Sequence, residues 1–487
     1  MIPSLLAEIE RDMTPEAGAA FMIIASEYLA RSRDAGEFVG TSRTPQQLAE
    51  NFRESLPQEG RALTEVVERV ARDVIPDSTW LYHPHYLGHQ VSAPLPAAIW
   101  MESVIAALNN SMTVFEMSPV ATVIEKQVVR WMCDLAGFPA EAGGTLTSGG
   151  TEATFTALLA ARAAALPHAW ERGVGNEPPV IVCGEHAHYA VTRAAGQLGL
   201  GTQSIVVIPS REYRMDAPAL AQRLRELRES AVTVMAVVAT AASTATGSFD
   251  DLEAIGQLCD QHGVWLHVDG AHGASALLSP AHRHHMRGIA RARSIAWDPH
   301  KMMLLPLSAG MLLMRDEKDL DAAFTQRAPY IFRDGEDERS WDQGMRSFLC
   351  SRRTDVLKMW VALHRYGATG IGALYEHLCT TTRTLHAAVA ESEAFEAMHE
   401  PESNILCFRY VGRRVLKDTQ LDSLNRELRV RYNASGAGWI TTTLLGERLA
   451  LRATVMNPRT DAGHVNAVLD GIAGLGRSLE RSGQPHS

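Results

Sequence analysis

Between residues 140 and 315 the chain alternates short β-branched runs with helical stretches, and this alternation narrows the choice of fold more than any other feature. PPVIVCG, TQSIVVIP, VTVMAVVATA, VWLHVDG and SIAWDPH are apolar runs that end in polar or small residues. AVTRAAGQLGLG and LEAIGQLCDQHG, apolar at helical spacing, separate them. Strands alternating with helices form βαβ units and a mostly parallel sheet. MMLLPLSAGMLLMRD reads as a further pair of apolar strands.

The flanks differ. Residues 1–75 read as a helical arm, with AEIERDMTPEAGAAFMIIASEYLARS and RALTEVVERVARDVI as helices and GTSRTPQQLAENF as a turn and short helix. DSTWLYHPHYLGHQVSAPLP is irregular and rich in Pro and His, the kind of loop that carries function. Residues 76–375 are expected to form a large α/β domain. After the long helix DVLKMWVALHRYGATGIGALYEHL, mixed strands and helices imply a small α+β domain over 376–487. A chain of 487 residues suits such a division.

A net charge of -10 without a basic stripe argues against nucleic acid. No apolar run approaches the ~20 residues of a membrane span, and MIPSLLAEIERD places acids where a secretory signal would be positive. The six cysteines form no CxxC pair, so neither a disulfide framework nor a zinc site is signalled. The expected location is the cytoplasm.

The chain has only five lysines, at 126, 301, 318, 358 and 417. Chemistry that requires an amine therefore has few places to reside. Lys126 and Lys358 lie on helices, Lys318 in the run RDEKD, and Lys417 shortly after Arg413 and Arg414; all four read as solvated. Lys301, in SIAWDPHKMMLL, is flanked by core. Burying an ammonium is costly, so Lys301 either snorkels to solvent or is a Schiff-base lysine with a readily depressed pKa.

Asp269 ends the buried run VWLHVDG, where a helix cap or turn is one reading. The other is a carboxylate set against the ring nitrogen of pyridoxal phosphate, keeping that ring an electron sink. Ala271, two positions on, would point the same way and lie against the ring. Gly149 and Gly150 open the helix TEATFTALLAARAAAL, and a helix start with free N–H groups suits a phosphate. His186 and His188 sit at a strand-to-helix junction, as core histidines or as ring-stacking, proton-handling groups. His282, His284 and His285 have no carboxylate or cysteine at ligand spacing, so the reading there is a solvated loop and no metal.

In this order, the glycine helix start, histidine, Asp-x-Ala and Asp-Pro-His-Lys resemble the group II pyridoxal-dependent decarboxylases, the family of glutamate, aromatic L-amino acid, cysteine sulfinate and diaminobutyrate decarboxylases. The resemblance covers roughly residues 75–475. It implies a fold type I enzyme, with a mostly parallel seven-stranded sheet, acting as a homodimer with active sites at the interface. Lys301 would carry pyridoxal 5'-phosphate, Asp269 would bind its ring nitrogen, and Ala271 and His188 would cover its faces. Gly150, Thr151 and His300 would surround the phosphate, with Thr244 nearby. Arg452, in LALRATVMN, matches the arginine that meets the substrate α-carboxylate. Tyr330, in QRAPYIFRDGEDERSW, matches the flap tyrosine that returns a proton after carbon dioxide leaves, whereas relatives with phenylalanine there tend toward aldehydes. His83, Tyr86, His89, Phe115 and His186 match substrate-selecting positions.

The sequence departs from the family at Met302, Gly270, His272, Ala242 and Ser243. The expected activity is decarboxylation of an L-amino acid to its amine, with a lean toward aromatic or imidazole side chains because no second arginine is evident for a distal acid. An oxygen-dependent aldehyde synthase, another lyase or aminotransferase, and a non-catalytic relative are the alternatives.

Overall fold

The computed structural model describes residues 2–325, 341–413 and 415–482. They divide into two compact units, Met1–His89 with Arg383–His399 and Leu406–Ser487, and Gln90–Thr382 with Glu400–Ile405.

The second unit is built on a seven-stranded sheet in the order Gly143–Thr147, Gly310–Met314, Ser294–Trp297, Trp265–Asp269, Val234–Thr240, Val180–Gly184, Ile205–Ile208. Only Gly310–Met314 runs antiparallel to its neighbours; the other adjacent pairs are parallel. This is the fold type I sheet. Ile181, Val182, Val237, Val238, Val268 and Ile295 are fully buried. Each contributes about 1.5–3 kcal/mol of burial, and their continuous apolar runs suit a parallel sheet covered on both faces.

Helix Gly150–Ala165 packs across the middle of the sheet. Ala153, Ala157, Ala160 and Ala161 let it approach closely. Gly310 is required at its start, because a Cβ there would lie 2.5 Å from the Gly149 Cα. The helix N-terminus thereby meets the carboxyl ends of the parallel strands, where α/β sheets place their ligands.

The first unit holds a five-stranded sheet, Tyr86–Leu87, Trp439–Leu445, Arg448–Thr454, Ile405–Tyr410 and Phe395–Ala397. Helix Asp418–Ala434 packs on it, with Ala462–Ser482 against that helix.

Two local expectations change. The first arm helix is two, Ile2–Asp12 and Pro15–Arg31, because Thr14 caps the second by accepting a hydrogen bond from the Ala17 N–H and Pro15 cannot donate within a continuing helix. MMLLPLSAGMLLM yields one strand, Gly310–Met314, instead of two. Met302–Leu305 are buried in a turn in which Leu304 takes a positive φ of 56°.

Candidate active site

A cavity of about 350 Å³ opens at the carboxyl ends of the strands in the second unit. Lys301, Asp269, Ala271, His188, His300, Gly150, Thr151 and Thr244 all line it. They come from five separate stretches of sequence.

Asp269 ends its strand with 8% exposure, and its Oδ1 accepts the Ala271 N–H at 3.2 Å. That bond turns the backbone so that Ala271 follows on the cavity wall. Beyond strand Ser294–Trp297 the Lys301 N–H donates to the Asp298 carbonyl, closing the turn that carries the lysine. Lys301 Nζ lies 3.1 Å from Asp298 Oδ2. His300 Nδ1 accepts the Ala309 N–H at 3.1 Å, so a neutral His300 carries its proton on Nε2, 3.5 Å from the same oxygen. His188 Nδ1 accepts the Ala190 N–H at 3.2 Å.

Burial pushes the pKa of His188 below its ordinary value; Asp269 opposes this and Lys301 adds to it. Burial lowers His300 as well, against Asp298. Both imidazoles are therefore neutral hydrogen-bonding groups near pH 7.

Gly149 and Gly150 leave room that a side chain would fill. A Cβ on Gly149 would lie 3.2 Å from His300 Cε1, and one on Gly150 would lie 2.8 Å from the Ala271 Cβ. Thr244 follows Ala242, whose φ of 63° lies in the left-handed region that favours glycine. The hydroxyls of Ser243, Thr246 and Ser248, linked at 3.0 and 2.8 Å, hold that turn.

The remaining predicted residues lie elsewhere. Phe115 donates its N–H to Asp342 and places its ring 5.9 Å from Trp341. His186 sits 5.7 Å from the Tyr213 ring, its pKa lowered by burial. Neither lines the cavity. His89, His83, Tyr86 and Arg452 belong to the first unit. There the His89 N–H donates to the Tyr86 hydroxyl at 3.3 Å. Arg452, 6% exposed, lies opposite Thr441, with its Nε and Nη2 lacking hydrogen-bond partners among the described residues. Tyr330 lies outside the described residues.

Two expectations are corrected. Lys358 is not solvated; it is fully buried, with Nζ 2.5 Å from Glu102 and 3.2 Å from Asp355. Two carboxylates compensate that ammonium, which a single lysine on a helical pattern does not disclose. Of the three loop histidines only His284 is exposed: His282 is buried and His285 stacks 4.7 Å from Phe249.

Sequence reasoning missed Asp298 and Glu152 as cavity residues, while His272 and Ala242, two of the departures from the family pattern, line the cavity. The signal for Asp298 was present, a carboxylate ending an apolar strand three residues before the lysine. Glu152 takes both the N–H and the hydroxyl of Ser148, and His272 Nε2 lies 2.6 Å from Asn404 Oδ1.

An amine, a carboxylate at a strand end and a helix start cleared of side chains fit pyridoxal phosphate in its three parts: aldehyde, ring nitrogen and phosphate. Comparison with known proteins agrees. The model of the pyridoxal-dependent decarboxylase conserved domain matches residues 45–411. L-2,4-diaminobutyrate decarboxylase of Rhizobium meliloti (strain 1021) is 33% identical over 433 residues, 87% of this chain and 84% of that protein. Cysteine sulfinic acid decarboxylase of Rattus norvegicus is 31% identical over 471 residues, 94% and 95% of the two chains. The crystal structure of mouse CSAD superposes with a TM-score of 0.89 at 29% identity, over 95% of this chain and 99% of that one. The chain belongs to the pyridoxal-dependent decarboxylase family and is a carboxy-lyase that uses pyridoxal phosphate to decarboxylate an amino acid.

Proposed function

We propose that the chain converts an L-amino acid to the corresponding amine and carbon dioxide, with Lys301 bonded to the cofactor and Tyr330 as proton donor. The observation that carries this reading is the gathering of Lys301, Asp269 and the Gly149–Gly150 helix start around one 350 Å³ cavity. Bound there, the cofactor supplies an electron sink for the pair left when a bond to the substrate α-carbon breaks. Asp269 holds a proton at the ring nitrogen. The Ala271 methyl and the neutral His188 imidazole take opposite ring faces and exclude water. Backbone N–H groups at Gly150 and Thr151, with His300 and Thr244, hold the phosphate. Arg452, with Nε and Nη2 still to be satisfied, orients the substrate carboxylate so that this bond is the one that breaks. His89, Phe115 and His186 do not line the cavity, and side-chain selection is assigned to them on the family resemblance alone.

Glu152, Asp269 and Asp298 line the cavity, and Lys301 is the one lysine or arginine among the described residues that do. This favours a cationic or neutral substrate side chain over an acidic one. Of the two relatives above, the diaminobutyrate decarboxylase points the same way and the cysteine sulfinic acid decarboxylase the other.

The reading includes three domains (1–75, 76–375 and 376–487) and a cytoplasmic homodimer. Helices Ile2–Asp12 and Pro15–Arg31 contain no buried residue although Ile2, Leu5, Leu6 and Ile9 are apolar, which supports coverage by a second copy.

The test is a product screen with added pyridoxal phosphate. Protein amino acids, 2,4-diaminobutyrate, dopa and cysteine sulfinate are offered, and amine, carbon dioxide and peroxide are followed beside a Lys301→Ala control. Amine and carbon dioxide from one substrate, absent in the control, support the proposal. Aldehyde and peroxide as main products overturn the role of Tyr330.

A further inference from the structure

Asp298 is the most deeply buried carboxylate of the cavity, 2% exposed, and the scheme above gives it no task. Its Oδ2 is 3.1 Å from Lys301 Nζ and 3.5 Å from His300 Nε2. Among the described residues its Oδ1 is buried without a hydrogen-bond partner. Donation of its N–H to the Ala271 carbonyl at 3.1 Å fixes the backbone. The absence of a side chain at Gly150 leaves space for the carboxylate, since a Cβ there would lie 3.0 Å from Oδ2. Burying such a group costs more than an ion pair usually returns, so stability is a poor reason for its presence.

We propose that Asp298 is a further catalytic residue, the counter-ion and local base of Lys301. The proposal rests on the reading of Lys301 as the cofactor's lysine. An ammonium has no electron pair to give to a carbonyl carbon. Asp298 Oδ2 is within proton-transfer reach of Nζ: it accepts one proton, the carboxylate becomes a carboxylic acid, and Nζ becomes a neutral amine. That amine bonds to the aldehyde carbon, and the aldehyde oxygen leaves as water. When the substrate's amino group displaces Lys301, the lysine departs as a neutral amine and takes the proton back from Asp298. The carboxylate then holds the ammonium 3.1 Å away, ready to return. His300 shares the same oxygen, while the charges of Asp298, Asp269 and Lys301 all reach His188.

The alternative is that the contact, three residues apart along the chain, only staples the turn. The test uses the full chain stripped of cofactor, as parent, Asp298→Asn and Asp298→Ala. Each is mixed with pyridoxal phosphate and quenched with borohydride at intervals, and modified Lys301 is measured by peptide mass spectrometry. Thermal unfolding of each cofactor-free protein is recorded alongside. The expected result is initial labelling about tenfold or more slower in Asp298→Asn, with the unfolding midpoint little changed and the rate of Asp298→Ala raised by added formate. Labelling within about twofold of the parent overturns the proposal. So does slowing that tracks lost thermal stability and is not relieved by formate. A parent labelled elsewhere than Lys301 overturns the lysine assignment itself, which separates that failure from this one.

Discussion

Arg352 and Glu125 form a buried two-pronged ion pair, Nη1 to Oε2 at 2.8 Å and Nη2 to Oε1 at 2.7 Å. Their side chains are 5% and 1% exposed. Glu125 Oε1 also accepts the Leu146 N–H at 3.1 Å, two residues before Ser148 enters the cavity wall. The pair therefore anchors the strand that delivers the glycine helix start. Removing one partner strands the other's charge, so Glu125→Gln is expected to cost about 3–5 kcal/mol in denaturant unfolding. A double Glu125→Met, Arg352→Met variant should lose less than the single changes combined, because it leaves no unpaired charge.

Gly150 should tolerate no side chain. In Gly150→Ala the new methyl would lie 2.8 Å from the Ala271 Cβ and 3.0 Å from Asp298 Oδ2, so the helix start or the Ala271 turn must shift. Cofactor affinity, followed by absorbance titration, should weaken about tenfold or more, alongside a stability loss of about 1–3 kcal/mol. Gly196 is the control: a Cβ there meets nothing within 4 Å, and Gly196→Ala should stabilise the protein by about 0.5–1 kcal/mol without changing that affinity.

Much of this architecture was legible because the strands announce themselves twice, by apolar runs and by the polar residue that ends each one. Asp269 and Lys301 both sit where an apolar run stops, and the folded sheet brings those ends together. Residues whose environment comes from distant segments were not legible. Lys358 looks solvated on its own helix, and Glu102, more than two hundred residues earlier, joins Asp355 in making its burial tolerable. MMLLPL looks like a strand because its side chains are buried, yet burial alone does not distinguish a strand from a packed turn. Asp298 was overlooked because a strand-end carboxylate is commonplace until a lysine amine is seen 3.1 Å away.

Arg452 lies on strand Arg448–Thr454 and spends one Nη1 contact, at 3.4 Å, on the Thr441 hydroxyl. If its remaining N–H groups grip the substrate carboxylate, Arg452→Lys should not rescue the function, because an ammonium cannot reproduce a planar two-pronged contact. KM for the amino acid is expected to rise about ten- to a hundredfold, the cost of a lost charged hydrogen bond, with cofactor content unchanged. An unchanged KM would remove Arg452 from the substrate site.

His267 gives the fold a separate sensitivity to acid. It is fully buried one residue pair before Asp269, Nδ1 lies 2.9 Å from the Ser294 hydroxyl, and burial lowers its pKa to about 4. The unfolded chain binds a proton there below about pH 6.5, whereas the folded protein does not until about pH 4. Stability from this group is thus complete above about pH 6.5 and falls on acidification by about 1.4 kcal/mol per pH unit through that window. Asp250 acts in the opposite sense: burial raises it to about 6, so the folded state takes up a proton first and gains stability between about pH 6 and 4. The two nearly cancel in the parent between pH 6 and 4. Variants separate them. His267→Gln should unfold at lower denaturant than the parent at pH 7.5, where a buried contact is lost, but the gap should shrink steadily as the pH falls to 4.5. A gap independent of pH would show that His267 is protonated equally in both states.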